Sequence, residues 1–204
     1  MSKSSYGFIG LAMRQHLIRR WSLMRCVSQE SVLEHSASVG LLVTIAGHLA
    51  LQNGRKVNIE QLMGHALVHD MSEVLCSDIV TPVKNATPAL RAEFMKLEKV
   101  AEEHLLSTLP VPLKDSLGGY FTLTGYERTL FKACDTYAAM VKCKLEIAAG
   151  NGGEFQQAYS TLSASLDEIK EECPEIAQLD ALFGEKIGVS IDQLLASEAA
   201  PEAP

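Results

Sequence analysis

HDMSEVLCSDIVTPVK, residues 69–84, is the stretch from which the rest of the chain can be read. It follows Leu62, Met63, Ala66, Leu67 and Val68, apolar residues spaced for the buried side of a helix. That helix ends on an imidazole beside a carboxylate, His69-Asp70. Glu73 comes one turn later, at i+4 from His69 and i+3 from Asp70, on the same side. Charge set against an apolar helix face is costly unless something compensates it. A divalent cation would do so. A helix end turning to solvent, with Asp70 and Glu73 hydrated, accounts for the same residues without one. The remaining ligands must therefore come from elsewhere in the chain.

Outward from this stretch the pattern is helical. Period-two alternation is nearly absent, so the fold class expected is all-α, a helical bundle in a single domain over residues 1–196. A first helix is expected over Tyr6–Arg20, followed by the segment Arg19–Arg25 with the only tryptophan, Trp21. Ser31-Val32-Leu33-Glu34 has the capping-box pattern and opens a helix striped by Val39, Leu42, Val43, Ala46 and Leu49, which stops near Asn53-Gly54. Its first turn points His35 inward. Asn58 caps the helix that ends at His69-Asp70, and Asp78 to Thr81-Pro82 reads as a turn. Pro88 opens a polar-faced helix to about Ser107; Pro110, Pro112 and Gly118-Gly119 mark breaks. A helix from Tyr126 to Gly150 carries Phe131, Cys134, Ala138, Val141, Leu145 and Ala148 as its apolar stripe, with Asp135 beside it. Glu154–Glu171 makes another, shorter helices follow Pro174 and Ser190, and residues 197–204 belong to a low-complexity tail expected to be disordered.

Composition narrows the function classes. A formal charge of −7 makes long nucleic acids poor partners, because polyphosphate binding depends on Lys and Arg neutralising the backbone. No uninterrupted apolar run reads as long enough to cross a bilayer, and the start lacks the apolar core of a signal peptide, so no membrane association and a cytoplasmic address are expected. Five scattered cysteines, never spaced as CxxC, point to reduced thiols and exclude a zinc ribbon or a disulfide framework.

Three helices thus offer inward metal-compatible side chains: His35, His69 with Asp70, and Asp135. Two imidazoles and two carboxylates suit Mn²⁺, Co²⁺, Fe²⁺ or Zn²⁺ with positions left for water and a substrate oxygen. Such an ion lowers the pKa of a bound water from about 15.7 toward about 7 and polarises a phosphoryl oxygen. Arg20, Arg25 and Lys84 are candidate cations for a phosphate. His65, one turn before His69, forms an HxxxH pair, but Ala66 stands where a zinc protease has Glu, so His65 is read as packing.

The order His35 … His69-Asp70 … Asp135 resembles the HD-domain metal-dependent phosphohydrolases. RRWSLMR (Arg19–Arg25), EHSASV (Glu34–Val39), HDMSEVL with the later TPVK, and KACDTYAAMVKC (Lys132–Cys143) together resemble the bacterial 5′-deoxynucleotidases, from the first helix to about Gly150. The resemblance implies a helical HD-domain fold with His35, His69, Asp70 and Asp135 as metal ligands, the ion being Co²⁺, Mn²⁺, Zn²⁺ or Mg²⁺. It implies that Glu73 is the catalytic glutamate and that Asp78 positions the attacking water and touches substrate. Arg20 and Trp21 would pack on the deoxyribose and disfavour a 2′-hydroxyl. Asp78, Ile79, Val80 and Thr81 would form a nucleotide-contacting turn. Lys84 joins the substrate contacts, with His35, Asp70 and Asp135 facing substrate as well as metal. A small deoxyribonucleotide substrate and a homodimer follow from the same resemblance.

The activity expected is hydrolysis of the 5′ phosphoester of a deoxyribonucleoside monophosphate. One alternative keeps the site and takes a deoxynucleoside triphosphate, dATP for instance, releasing triphosphate. Another is a non-catalytic HD-fold nucleotide-binding protein, whose mark would be a broken tetrad or a missing Glu73. A third is hydrolysis of a signalling nucleotide such as a guanosine polyphosphate.

Overall fold

The computed structural model describes residues 5–196, and among them every regular element is helical: α1 (Phe8–Ala12), α2 (Val32–Gln52), α3 (Ile59–Val68), α4 (Glu73–Cys76), α5 (Thr81–Lys84), α6 (Pro88–Ser107), α7 (Val111–Leu117), α8 (Gly125–Ala148), α9 (Gly152–Ile169), α10 (Pro174–Phe183) and α11 (Ile191–Ala196), with 3₁₀ turns at Met13–Leu17, Gly118–Phe121 and Gly184–Lys186. The all-α expectation holds. Local chemistry sets the helix starts. Ser31 Oγ accepts from the Glu34 N–H at 3.2 Å while the Glu34 carboxylate accepts from the Ser31 N–H at 2.6 Å, closing the capping box of α2. Asn58 and Thr87 cap α3 and α6 through their side-chain oxygens.

α2, α3, α8, α9 and α10 pack around one core. Val39, Val43, Ala46 and Ala50 meet Leu62 and Ala66, Leu130, Cys134 and Tyr137, and, from the far side, Leu166, Ile176 and Leu179. Each fully buried Leu or Ile contributes about 1.5–3 kcal/mol, which lets the bundle tolerate desolvated charge at its edge. A second cluster, Phe8, Met71, Leu105, Leu109 and Phe121, joins α1 and α6 to the stretch after α3. His69 and Asp70 fall on the seam between the clusters, one residue after α3 ends and one before buried Met71. Gly64 is required nearby: a Cβ there would stand 2.2 Å from the Tyr120 ring.

Several expectations are corrected. The first helix stops early, because Ile18 is extended and its carbonyl accepts from the Val32 N–H at 3.0 Å, while the Arg20 N–H donates to Glu30 O at 3.0 Å. Pairing with the chain ahead of α2, marked by the isolated Arg19–Ser31 bridge, wins over helix continuation. Thr81-Pro82 opens a short helix, α5, where proline's missing N–H costs nothing in the first turn. Val111–Leu117, read only as a break, is helical for the same reason. The stripe on α8 sits differently: Leu145 is 46% exposed, and Tyr137, Lys142, Cys143 and Glu146 are buried instead. α2 is long and apolar enough to cross a membrane by length and composition alone, against the expectation that no span is. One of its faces, from Val32 to Ala50, is buried within the bundle. The tail at 197–204 lies outside the described residues.

Candidate metal centre

α2, α3 and α8 bring the tetrad together. His35, in the first turn of α2 and fully buried, has Nε2 2.8 Å from Asp135 Oδ1 on α8 and 4.0 Å from Asp70 Oδ2. His69, the C-cap of α3, has Nε2 3.0 Å from Asp70 Oδ2 and 4.0 Å from Asp135 Oδ1. One donor atom from each of His35, His69 and Asp135 lies within 4.8 Å of the others. Asp70 closes the group while Arg20 donates to its Oδ2 at 3.1 Å.

The donor set fits a divalent cation. Nδ1 of His69 faces the Ala66 carbonyl at 2.9 Å. A carbonyl only accepts, so Nδ1 carries the proton and the neutral ring offers its Nε2 lone pair to the centre. Nδ1 of His35 and Oε2 of Glu73 are buried without hydrogen-bond partners, and Nε2 of His69 has only the Asp70 carboxylate, 3.0 Å away, beside it. Buried polar atoms left unpaired are rare, and a cation at the centre would engage the Nε2 atom of His69 directly. Electrostatics agree. Burial pulls the His69 pKa down, but the Asp70 and Asp135 charges outweigh it and raise it to about 9 in the metal-free protein. Burial works to raise Asp70 and Asp135; the His69 charge and Arg20 hold Asp70 well below the carboxylate range, and the His35 hydrogen bond with the His69 charge lowers Asp135. A proton on His69 thus stands where a cation would, and binding a cation there would release it.

Glu73 opens α4 just beyond, its N–H donating to the Asp70 carbonyl at 3.1 Å. Burial, then the charges of Asp70 and Asp78, push its carboxyl up to about 8. Burial also raises Asp78, on the turn after Ser77, whose φ of +66° reverses the chain. Ile79 and Val80 continue that turn into Thr81 at the head of α5. Of the three expected cations, Arg20 lies at the centre, whereas Lys84 pairs with Glu98 at 2.5 Å and Arg25 with Glu154 at 3.0 Å on the α9 side. His65 is packing, as expected: its Nδ1 meets the Tyr120 carbonyl at 2.7 Å and its ring stands edge-on to Phe131.

Trp21 adopts φ +61°, which a bulky side chain holds only at a cost of about 1–3 kcal/mol when its surroundings fix it. Its indole packs on Phe155 of α9 with ring centroids 5.6 Å apart, and its Nε1–H donates to Glu30 Oε2 at 2.7 Å. Behind it, Glu146 of α8 accepts the Val27 and Ser28 N–H groups at 2.7 and 3.0 Å and pairs with Lys142 at 2.5 Å; Asn151 donates to the Arg25 carbonyl. Glu30, Glu146 and Phe155 were not singled out from sequence. Glu30 has no local signal. Lys142 and Glu146, an i,i+4 charge pair one step out of phase with the expected stripe, were a readable one.

Residues 7–183 match the family model described as "5'-deoxynucleotidase YfbR-like". The chain is 37% identical over 199 residues to a 5′-deoxynucleotidase of Vibrio atlanticus, covering 94% of this chain and 99% of that protein. It is 36% identical over 188 residues to a 5′-deoxynucleotidase of Yersinia pestis, covering 89% and 92%. Among solved structures, an HD-domain phosphohydrolase from Listeria innocua aligns at TM-score 0.77 and 23% identity over 90% of this chain and 89% of that one. A cyanophage S-2L HD phosphohydrolase, bound to dA and one catalytic Zn²⁺, aligns at TM-score 0.62 and 23% identity over 93% and 100%. The two structures carry the HD fold. The family match and the near-complete sequence coverage carry more: this chain belongs to the YfbR-like 5′-deoxynucleotidase family.

Proposed function

We propose that this chain removes the 5′ phosphate of 2′-deoxyribonucleoside monophosphates, giving deoxynucleoside and inorganic phosphate, with a divalent cation held by His35, His69, Asp70 and Asp135. As a member of its family the chain is a metal-dependent phosphoric ester hydrolase. The observation that carries the assignment to this site is the meeting of two imidazoles and two carboxylates from three helices beside a buried, unpartnered Glu73 oxygen.

When bound, a divalent cation supplies Lewis acidity toward the phosphoryl oxygen and a source of hydroxide near neutrality. The two imidazoles favour Zn²⁺, Co²⁺ or Mn²⁺ over Mg²⁺, which prefers all-oxygen sites. The chain's own groups do the rest. Glu73 moves the proton of the attacking water, and Asp78 orients that water. Arg20, anchored on Asp70, lends positive charge to the ester. Trp21 presents a rigid face where a 2′-oxygen would sit, and the Asp78–Thr81 turn, with Lys84 at its end, meets the nucleotide. Hydrolysis of phosphate monoesters is among the slowest uncatalysed reactions, so charge stabilisation at this one centre has a large barrier to lower.

The relatives at 36–37% identity are named as 5′-deoxynucleotidases, which weighs against the triphosphate alternative. An intact tetrad with Glu73 weighs against a non-catalytic role. Family resemblance carries a homodimer, tested by light scattering. Five free thiols fit a reducing compartment and hence a cytoplasmic address.

The test is product release from dAMP, AMP and dATP by protein loaded in turn with Co²⁺, Mn²⁺, Zn²⁺ and Mg²⁺. We expect phosphate and deoxyadenosine from dAMP, far less from AMP, and little triphosphate from dATP. Triphosphate release from dATP with a kcat/KM matching that on dAMP would replace the monophosphate reading. No turnover with any metal would leave a binding protein.

A further inference from the structure

We propose that Glu30 is the positioning residue of the sugar wall: its single carboxylate oxygen Oε2 fixes both Arg20 and Trp21, and so sets the preference for substrates lacking a 2′-hydroxyl. The inference rests on the reading that Arg20 and Trp21 contact the deoxyribose.

Oε2 accepts from Trp21 Nε1 at 2.7 Å and forms an ion pair with Arg20, standing 3.4 Å from an Nε that has no hydrogen-bond partner of its own. The Glu30 carbonyl also accepts the Arg20 N–H at 3.0 Å. Arg20 in turn reaches Asp70 Oδ2 at 3.1 Å with its far nitrogen. One carboxylate therefore ties the indole to the guanidinium that touches a candidate metal ligand. The side chains of Glu30 and Arg20 are only 13% and 18% exposed, so water competes poorly for these contacts.

Packing cannot do this alone. Phe155 meets the indole as a tilted ring, an apolar contact that gives the indole N–H no partner. A directional hydrogen bond to Nε1–H selects one rotation, and indole has a single donor to give. Nor is Glu30 needed to start α2, because Ser31 and Glu34 already cap that helix reciprocally. What remains for its carboxylate is the Arg20–Trp21 pair.

The experiment uses full-length, metal-loaded protein and four variants: Glu30→Ala, Glu30→Leu, Glu30→Gln and Trp21→Ala. Kinetics on dAMP and AMP are read beside the emission of the chain's only tryptophan, which reports the indole without reference to turnover. Glu30→Ala should lower the dAMP-to-AMP ratio of kcat/KM about tenfold, chiefly by raising KM for dAMP. Its emission should shift to the red and become more open to acrylamide quenching. Glu30→Leu keeps the bulk without the acceptor and should do the same, which covers an alanine variant that fails to fold. Glu30→Gln keeps an acceptor for Nε1 and should hold the ratio within about threefold of the parent.

An unchanged ratio and emission in folded Glu30→Ala or Glu30→Leu would overturn the proposal. So would a glutamine variant as defective as alanine, or an equal loss on dAMP and AMP. If Trp21→Ala collapses the ratio while Glu30→Ala does not, Glu30 alone is misassigned. If Trp21→Ala leaves the ratio unchanged, the sugar-wall reading falls and Glu30 falls with it.

Discussion

On one side of the site His35, His69, Asp70 and Asp135 are set by α2, α3 and α8, whose facing residues are the main core; on the other, Arg20 and Trp21 ride on the stretch from Ile18 to Ser31, which has no α-helix. The metal side takes its geometry from apolar packing immediately beneath it: His35 is followed on its helix by Val39 and Val43, His69 is preceded by Leu62 and Ala66, and Asp135 sits next to Cys134. The Arg20–Trp21 side, proposed to face the sugar, borrows its geometry from polar groups elsewhere in the chain. Glu146 and Asn151 hold the backbone of residues 25–28, and Glu30 holds the side chains of Arg20 and Trp21. A close-packed core tolerates little displacement, whereas a loop held by a few hydrogen bonds can be released by removing one of them. On the proposed reading, bond cleavage falls to the stiff half and substrate choice to the half that can be retuned.

The two halves should therefore fail separately. Glu73→Gln should cut kcat on dAMP about 10²–10⁴-fold while bound metal, measured by elemental analysis, and the dAMP-to-AMP preference stay at parental values. Loss of metal along with turnover would make Glu73 part of the cation site. Glu146→Gln should do the converse with a smaller effect: a KM for dAMP raised about threefold to tenfold and a thermal stability lower by about 1–3 kcal/mol, with metal retained. Its acid profile is a second readout. Burial alone would raise the Glu146 pKa, but Lys142, Asn151 and the Val27 and Ser28 amides lower it from 4.5 to about 2. A carboxylate depressed on folding contributes stability that is complete above its unfolded pKa and is lost as pH falls toward its folded one. The parent should therefore lose stability between pH 4.5 and about 2, and the glutamine variant should lack that part of the acid limb. Equal acid curves for the two would detach Glu146 from the sugar side.

The same division decides what the sequence could tell. The capping box at Ser31, the Asn58 cap and the apolar spacing ahead of His69 are local signals, and the helices they announce are present. The tetrad was readable because each member sits at a fixed step from an apolar stripe. The first helix ended early because Ile18 and Arg20 pair with Val32 and Glu30 across more than nine residues of chain, a competition no local propensity records. Leu145 was placed in the core, but the structure exposes it and buries Glu146 instead, because Lys142 and Glu146 neutralise one another and take up backbone partners from the loop of residues 25–28. A buried ion pair reads as surface until its partners are known. Glu30 was invisible for the same reason: its meaning lies in Trp21 and Arg20, and spacing alone ties it to neither.

The central claim is that one cation sits among His35, His69, Asp70 and Asp135. Its most direct test is an anomalous-difference map at the cobalt edge from crystals grown with Co²⁺. The account predicts a strong peak bonded by the Nε2 atoms of His35 and His69 and by carboxylate oxygens of Asp70 and Asp135, at about 2.0–2.2 Å as imidazole and carboxylate ligands hold comparable ions. No peak there at saturating cobalt, or a peak held by other side chains, would contradict it.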